Sequence, residues 1–210
     1  LVSVADYLLS RIYNEALETG KSIEEIAAPY QMVTSSNLSS SRALRDVTEQ
    51  YGGEYCTAAV GEVNVTTKMR EAGALIGGEG NGGVIYPALH YGRDAMVGVA
   101  LFLTNLAYKK MKVSELRASY PEYVIAKNKI ELSDSARIDR IRDEVKTVYA
   151  AEDINTIDGV KISFEAKKEW VHLRRSNTEP IIRIYAEAAT AEAADALAQQ
   201  IIAIANKIIG

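Results

Sequence analysis

Residues 160–187 read VKISFEAKKEWVHLRRSNTEPIIRIYAE and contain three strand-type runs in close succession. The runs cover residues 160–164, 170–174 and 181–187. Connections as short as these suit hairpins, and Asp158-Gly159, just before the first run, is a further turn signal. The stretch therefore predicts an antiparallel sheet.

Helical patterns flank this predicted sheet. A strand at residues 123–132 and a helix at residues 133–149 precede it, and a helix at Ala191–Ile209 follows it. The order β-α-β-β-β-α is typical of an α+β domain with an antiparallel sheet and two helices.

Before Pro121, strand and helix patterns alternate along the chain. Strands are predicted at residues 30–34, 55–60 and 74–76, and helices from Val4 onward and at residues 42–51, 63–71 and 94–109. Such alternation implies parallel pairing, with helices on both faces of a mixed or parallel sheet. The predicted fold class is therefore α/β, with domains at residues 1–122 and 123–210.

Two local patterns in the first domain have simple interpretations. Ser3 and Asp6 have the spacing of a capping box, in which both side chains bond the first turn of a helix. Residues 35–41, SSNLSSS, are predicted to form a turn.

Composition limits the classes of function. The 210 residues include 24 Lys and Arg against 28 Asp and Glu, so no broad positive field is available for nucleic acid. The most apolar stretch, residues 95–107, is too short to cross a bilayer, so no membrane partner is predicted. The single Cys56 cannot form an internal disulfide, which fits a reducing compartment. The chain begins at Leu1 without signal-peptide features, so we expect a fragment of a longer, cytoplasmic protein.

Residues 77–83 read GGEGNGG and follow a predicted strand. They formally match the dinucleotide-binding pattern G-x-G-x-x-G, but that pattern should open a helix, whereas VIYP follows here. We predict instead a turned loop that presents Glu79 and Asn81. A carboxylate accepts hydrogen bonds from two hydroxyls, and an amide both donates and accepts, which suits a sugar diol. The structural alternative is a solvated glycine turn with an incidental acid.

Residues 174–180 read RRSNTEP and connect two predicted strands. Guanidinium groups bind phosphate oxygens well, and hydroxyl and backbone N–H groups supply further donors. Successive strand residues face opposite sides, so only one of Arg174 and Arg175 should face a ligand. The candidate phosphate-binding residues are Arg174, Ser176, Asn177, Thr178 and Arg183. The structural alternative is a surface hairpin with an ion pair between Glu179 and an arginine.

His90 and His172 are the two histidines. His172 lies in an alternating strand and is predicted to be structural. His90 follows the glycine loop and is a possible proton carrier near neutral pH. Apart from this role of His90, no catalytic residue and no metal ligand is predicted in the chain.

Together, the two loops resemble those of the α-D-phosphohexomutases, which include phosphoglucomutase, phosphomannomutase and phosphoglucosamine mutase. Residues 78–83 (GEGNGG) are similar to the sugar-binding loop G-E-x-S-G-H of this family. Residues 174–180 are similar to its phosphate-binding loop R-x-S-[GN]-T-E-P. The resemblance covers essentially the whole chain, as the third and fourth domains of the family.

The resemblance implies an isomerase of carbohydrate metabolism, an intramolecular phosphotransferase that interconverts hexose 1-phosphate and 6-phosphate. It implies that Glu79 binds the O3 and O4 hydroxyls, with Asn81 where serine is usual. It also implies that Arg174, Ser176, Asn177 and Thr178 bind the phosphate that is not transferred. The phosphoserine and the Mg²⁺ would lie in N-terminal domains missing from this chain, with hexose 1,6-bisphosphate as intermediate and activator. The fragment alone would then be inactive.

One departure from the family pattern concerns the end of the glycine loop. Gly83 stands where the family has histidine, and we hypothesise that His90 approaches the same space. The sugar also stays open, because O3 and O4 are common to the glucose, mannose and glucosamine phosphates. Phosphomannomutase/phosphoglucomutase is the leading hypothesis. Phosphoglucosamine mutase, a non-catalytic phosphosugar-binding module and a structural α/β protein are the alternatives.

Overall fold

The computed structural model describes residues 1–132, 134–176 and 178–209. The chain divides into two compact units, Leu1–Glu122 and Tyr123–Gly210. Among the described residues, no helix has both the length and the apolar character needed to cross a membrane.

The first unit is built on one mixed sheet with strand order β2-β1-β3-β4. Its elements are α1 (Val2–Thr19), α2 (Ile23–Ala27), β1 (Gln31–Asn37), α3 (Ala43–Gln50), β2 (Glu54–Ala58), α4 (Glu62–Glu71), β3 (Ala74–Gly78), β4 (Val84–Ile85), α5 (Ala95–Lys109) and α6 (Val113–Ala118). Strand β1 pairs in parallel with β2 and β3, and the short β4 runs antiparallel to β3. The predicted mixed sheet is thereby confirmed.

Helices cover both faces of this sheet, as the alternation of strands and helices predicts. Adjacent residues of a strand point to opposite faces. Met32 of β1 packs in a cluster with Leu9 of α1 and Leu44 of α3. Val33, the next residue, belongs to a second cluster with Val65 and Met69 of α4.

The predicted turn at residues 35–41 is wrong for its first three residues, which continue β1. Ser35 pairs in register with Cys56 of β2 and with Gly77 of β3. Polar side chains are tolerated in this buried strand because several find partners: the Ser36 hydroxyl bonds the Tyr55 hydroxyl at 2.8 Å. Serine composition therefore signals a turn only where the backbone has no neighbouring strands to pair with.

The predicted capping box at Ser3 and Asp6 is also wrong. Helix α1 begins at Val2, and its N-cap residue, Leu1, makes no side-chain capping bond. Asp6 is instead 3% exposed and accepts hydrogen bonds from the hydroxyls of Tyr51 and Tyr120. The Asp6 carboxylate therefore takes part in tertiary hydrogen bonds rather than in the helix capping that the local spacing predicted.

The second unit is the predicted α+β domain with an antiparallel sheet and two helices. Its elements are β5 (Val124–Glu131), α7 (Ser135–Val148), β6 (Asp153–Asn155), β7 (Val160–Phe164), a 3-10 turn (Glu165–Lys167), β8 (Glu169–Arg175), β9 (Ile181–Ala188) and α8 (Ala191–Ile209). The strand order is β5-β9-β8-β7-β6, and every pair is antiparallel. Strand β6 is an addition to the predicted order.

Helices α7 and α8 form one core with the sheet of this unit. Ile141 of α7, Ile201 of α8 and Ile184 of β9 are all fully buried in it. Gly159 turns the chain between β6 and β7 with φ of +79°, and a Cβ there would also overlap the Leu173 carbonyl oxygen. Both the turn and the close approach of β8 therefore require glycine at this position.

Candidate functional site

The sequence predicts one candidate site in each unit, and the first lies at the carboxyl edge of the mixed sheet. Parallel strands end at the same edge, and ligands of open α/β sheets bind there. Asn37 ends β1, Gly61 follows β2, and Glu79 follows β3. The topology therefore brings together residues that are far apart in the sequence.

Glu79 is buried at this edge and is held by neighbouring donors. It is 6% exposed. Its Oε1 accepts a hydrogen bond of 2.9 Å from Nδ2 of Asn37 and one of 3.3 Å from the backbone N–H of Gly61. Ser40 extends this network, because its hydroxyl donates to Asn37 Oδ1 at 3.0 Å and accepts from Gly80 N at 2.9 Å. The carboxylate is thus oriented by the fold rather than solvated as an incidental acid.

The glycine loop is a tight connection between β3 and β4. The Glu79 N–H donates to the Gly83 carbonyl at 3.0 Å, and a Cβ on Gly78 would overlap that same carbonyl oxygen. Asn81, the second predicted sugar-binding residue, is exposed, and its Oδ1 accepts from Gly83 N at 3.2 Å. A strand rather than a helix follows the loop, which agrees with the rejection of the dinucleotide pattern.

Two residues that sequence reasoning did not assign to the site complete it. Arg93 donates from Nε to Glu62 Oε2 at 2.8 Å and from its backbone N–H to Glu62 Oε1 at 3.0 Å. Its Nη1 lies 3.5 Å from Glu79 Oε2. The hydrogen bond from the Arg93 backbone is the main cause that lowers the pKa of Glu62. No local signal marks the pair, since 31 residues separate its members.

Arg93 also fills the space beside Gly83. A Cβ on Gly83 would lie 2.6 Å from Cδ of Arg93 and 3.4 Å from Oδ1 of Asn81. His90, the residue that we expected near this space, places Nε2 3.0 Å from Oδ2 of Asp94, which lines the same cleft as Gly83. Its catalytic role stays a prediction.

An open cleft of about 520 Å³ adjoins these groups. Its lining residues are Glu62, Asn81, Gly82, Gly83, Arg93, Asp94 and Ala95. Asp94 caps helix α5 by accepting from Val97 N at 3.0 Å, and this bond is the main cause that lowers the pKa of Asp94. The cleft can thus offer hydrogen-bond acceptors and one guanidinium group to a polar ligand.

The second candidate site lies where β8 ends and β9 begins. Arg174 and Arg183 occupy directly opposed positions on these strands. Nε of each is buried and has no hydrogen-bond partner among the described residues. Arg175, the next residue, is exposed and opposes Ile182 in the register. Since neighbouring residues point to opposite faces, Arg174 and Arg183 share one face, and Arg175 lies on the other.

The loop between these strands adds hydroxyl and backbone donors. Ser176 is 5% exposed, and its hydroxyl lies 3.5 Å both from Nη2 of Arg183 and from Thr178 N. Asn177, another predicted phosphate-binding residue, lies outside the described residues. The site therefore combines two guanidiniums with at least one buried hydroxyl, which is the chemistry that binds phosphate.

Part of the structural alternative is present as well. Arg183 donates to Glu179 Oε2 at 2.7 Å and to the Tyr185 hydroxyl at 3.3 Å. The hydrogen bond with Tyr185 is the main cause that raises the pKa of Arg183. The ion pair with Glu179 neutralises the charge of Arg183 in part, whereas the charge of Arg174, on the opposed strand, is not neutralised by this carboxylate.

His172 has the structural surroundings that the strand pattern predicts. It is 1% exposed, and its Nε2 donates to the Asp158 carbonyl at 2.6 Å. Burial lowers the pKa of His172 to about 4. In the described part of the chain, no group of three or more His, Cys, Asp and Glu side chains is arranged to hold a metal ion.

Comparison with known proteins identifies the family of both units. Residues 5–123 match the family model described as phosphoglucomutase/phosphomannomutase, alpha/beta/alpha domain III. Residues 127–204 match the model described as phosphoglucomutase/phosphomannomutase, C-terminal domain.

Individual relatives agree with these matches. A probable phosphoglucosamine mutase of Methanopyrus kandleri is 33% identical over 174 residues, which cover 82% of this chain and 38% of that protein. A phosphoglucomutase/phosphomannomutase of Thermococcus kodakarensis is 36% identical over 161 residues, which cover 75% of this chain and 34% of that protein. The chain thus spans little more than a third of the length of these relatives.

A solved structure shares the fold of the chain. It is the Aspergillus fumigatus N-acetylphosphoglucosamine mutase in complex with GlcNAc-6P and magnesium, with a TM-score of 0.69 and 16% identity over 99% of this chain and 43% of that one. The chain belongs to the phosphoglucomutase/phosphomannomutase family of the α-D-phosphohexomutases, of which it comprises domain III and the C-terminal domain.

Proposed function

We propose that the chain is the substrate-binding half of a phosphohexomutase that interconverts hexose 1-phosphate and hexose 6-phosphate. Glu79 and Asn81 bind the sugar hydroxyls. The residues that bind the phosphate that stays on the sugar are Arg174, Ser176, Asn177, Thr178 and Arg183. Domain III comprises residues 1–122 and the C-terminal domain residues 123–210.

The observation that carries the proposal is the opposition of Arg174 and Arg183 beside the buried Ser176. Like charges directly opposed on neighbouring strands are unfavourable, and a bound anion removes the repulsion. Guanidinium and hydroxyl donors recognise a phosphate without regard to the carbon that bears it. This property suits a mutase, because its bisphosphorylated intermediate must present either end to the same site.

Glu79 supplies the second half of substrate binding. Its Oε1 is already fixed by Asn37 and Gly61. A carboxylate has about four acceptor positions in total, and the 3.5 Å contact of Oε2 with Arg93 Nη1 is at the limit of a hydrogen bond, so Oε2 can still accept from sugar hydroxyls. Neighbouring hydroxyls at C3 and C4 fit such an acceptor.

The chemical step requires groups that we assign to the N-terminal domains of the complete protein. A phosphoserine there donates and recovers the phosphoryl group, and Mg²⁺ stabilises the charge that develops during transfer. Hexose 1,6-bisphosphate is the intermediate and activator. The related A. fumigatus structure contains GlcNAc-6P and magnesium, which supports the use of Mg²⁺ by the complete protein. The complete protein is a cytoplasmic phosphoprotein in this proposal, and the 210-residue chain alone is inactive.

The sugar preference has two candidates. Phosphomannomutase/phosphoglucomutase activity is the first, and the T. kodakarensis relative at 36% identity carries that name. Phosphoglucosamine mutase activity is the second, and the M. kandleri relative at 33% identity carries that name. Glu79 alone cannot discriminate between them, because the C3 and C4 hydroxyls are common to these sugars.

Calorimetric titration of the chain tests the binding role. Glucose 1-phosphate and glucose 6-phosphate should both bind, inorganic phosphate should bind more weakly, and the Arg174→Ala variant should lose affinity for all three. Binding that Arg174→Ala leaves unchanged contradicts the assignment of the phosphate site. Turnover of glucose, mannose and glucosamine phosphates by the complete protein then identifies the sugar, and exclusive use of glucosamine phosphate contradicts the first candidate.

A further inference from the structure

Gly83 is required by a neighbouring side chain rather than by its own backbone. Gly82 has φ of +96° with open space around it, whereas φ of Gly83 lies outside the left-handed region. A Cβ on Gly83 would lie 2.6 Å from Cδ and 3.1 Å from Cγ of Arg93. Carbon atoms in contact are normally about 3.5–4.0 Å apart. A side chain at position 83 and the observed position of Arg93 therefore exclude each other.

Arg93 is held in this position at both its backbone and its side chain. Its backbone forms an antiparallel bridge with Ile85. Both oxygens of Glu62 accept from it, one from the backbone N–H at 3.0 Å and one from Nε at 2.8 Å. The backbone bond fixes the Glu62 carboxylate, and the Nε bond to that carboxylate then restrains the direction of the guanidinium group.

The fixed guanidinium faces Glu79. Nη1 of Arg93 lies 3.5 Å from Oε2 of Glu79, while Asn37 and Gly61 bond the other oxygen, Oε1. The two oxygens of the carboxylate thus have separate restraints. The Arg93 side chain is also 45% exposed at the wall of the cleft, where Asn81 lies.

We propose that Arg93 and Gly83 form a positioning pair for the sugar-binding carboxylate. Gly83 leaves the volume that the Arg93 stem occupies, and Arg93 restrains Oε2 of Glu79 in the orientation that receives the sugar hydroxyls. Glu62 contributes indirectly, because its hydrogen bonds hold Arg93 in place. The inference rests on the proposed function, because it concerns how Glu79 binds a hexose phosphate.

The test is a set of double-mutant cycles in the complete protein that contains this chain, with kcat/KM for glucose 1-phosphate as the readout. Arg93→Ala should lower kcat/KM by about 10- to 100-fold, the cost of a slightly misplaced binding group. The loss should be nearly absent in a Glu79→Ala background, because Arg93 acts through Glu79. Arg93→Lys should recover part of the loss, because a cation remains beside Glu79.

The role of Gly83 is tested in the same way. Gly83→Ala displaces Arg93 and should resemble Arg93→Ala, and the double variant should lose no more than either single variant. The melting temperature of every variant is measured alongside. The exposed Arg45–Glu49 pair, at 2.7 Å on α3, provides a matched control, and Arg45→Ala should leave kcat/KM within about twofold of the parent.

The outcomes separate this inference from the proposed function. A parent protein that turns over no hexose phosphate contradicts both. If the parent is active but Arg93→Ala keeps kcat/KM within twofold, the inference about Arg93 and Gly83 is overturned and the proposed function stands. The same holds if the losses of Arg93→Ala and Glu79→Ala multiply. A Gly83→Ala loss that persists in the Arg93→Ala background also overturns it, because Gly83 then acts without Arg93.

Discussion

Arg174 and Arg183 lie directly opposite each other on β8 and β9, with Nε of both buried. Like charges directly opposed on neighbouring strands are destabilising. The two strands therefore hold two cations close together, which lowers stability. The ion pair of Arg183 with Glu179 compensates the charge of only one of the two arginines. An anion that bridges the two guanidiniums would recover this free energy.

Arg174→Ala should therefore weaken phosphate binding without weakening the fold. The dissociation constant for inorganic phosphate should rise at least about tenfold, because a charge-assisted hydrogen bond contributes about 1.5–3 kcal/mol. The melting temperature without phosphate should stay the same or rise, since one of the opposed charges is gone. Differential scanning calorimetry with and without phosphate measures both effects.

Arg175→Ala is the matched control for this measurement. Arg175 follows Arg174 in the sequence but is exposed and points to the other face of β8. The Arg175→Ala variant should still show a higher melting temperature when phosphate is added. Equal losses in the two variants would mean that general positive charge, rather than the opposed pair, attracts the anion.

Asn37→Ala should destabilise the first unit and weaken sugar binding. Asn37 is 5% exposed, and it donates to the buried carboxylate of Glu79 at 2.9 Å. Loss of this donor should lower the free energy of unfolding by about 1–3 kcal/mol. Asn64→Ala, which removes an exposed bond to the Val60 carbonyl, is the control and should cost less than about 0.5 kcal/mol. Urea denaturation compares them, and equal effects would contradict a special role of the buried bond.

Asp6→Asn should be among the more destabilising conservative changes in the first unit. Burial raises the pKa of Asp6, but the hydrogen bonds from Lys109, Tyr120 and Tyr51 outweigh it and hold the pKa below its usual value. Removing the charge leaves Lys109 without its buried partner, which should cost about 2–4 kcal/mol. Because the pKa is lowered, this contribution is present above the unfolded pKa and disappears as the pH falls through the folded one.

A comparison within the same unit checks that estimate. Glu49→Gln removes the exposed ion pair with Arg45 and should cost less than about 1 kcal/mol in urea denaturation. If Asp6→Asn costs no more than Glu49→Gln at pH 7, the Asp6 network does not stabilise the unit as described.

His172 should make the second unit less stable in mild acid. Burial lowers its pKa to about 4 from the usual 6.5, so the unfolded chain binds a proton first as the pH falls. The free energy of unfolding should thus be constant above about pH 6.5 and should fall by about 3 kcal/mol in total toward pH 4. Fluorescence of Trp170, the single tryptophan, reports this unit.

His172→Gln should remove this acid sensitivity, because glutamine does not titrate there and can still donate to the Asp158 carbonyl. His90→Gln is the control, since His90 is exposed and lies in the other unit. It should retain the pH dependence of the Trp170 signal. A pH profile that is the same in the parent and in His172→Gln would contradict the assignment.

The sequence by itself determined the elements whose signals are local. Val160–Phe164 is the predicted strand, and Ala191–Ile209 is the predicted helix. Side chains alternate every two residues in strands and recur every 3.6 in helices, so such runs are recognisable without their neighbours. The two loop motifs are local as well, and they were sufficient to identify the family.

Only the tertiary structure decided which distant residues meet. Asn37 and Glu79 are 42 positions apart, and Glu62 and Arg93 are 31 apart. Parallel strands joined by crossover helices bring the two pairs to one sheet edge, and no local period encodes such contacts. The reasons for Gly83 and for the buried serines of β1 became visible in the same way. The sequence shows that a glycine is flexible or that a serine is polar, whereas packing in the folded chain decides which neighbouring residue contacts it.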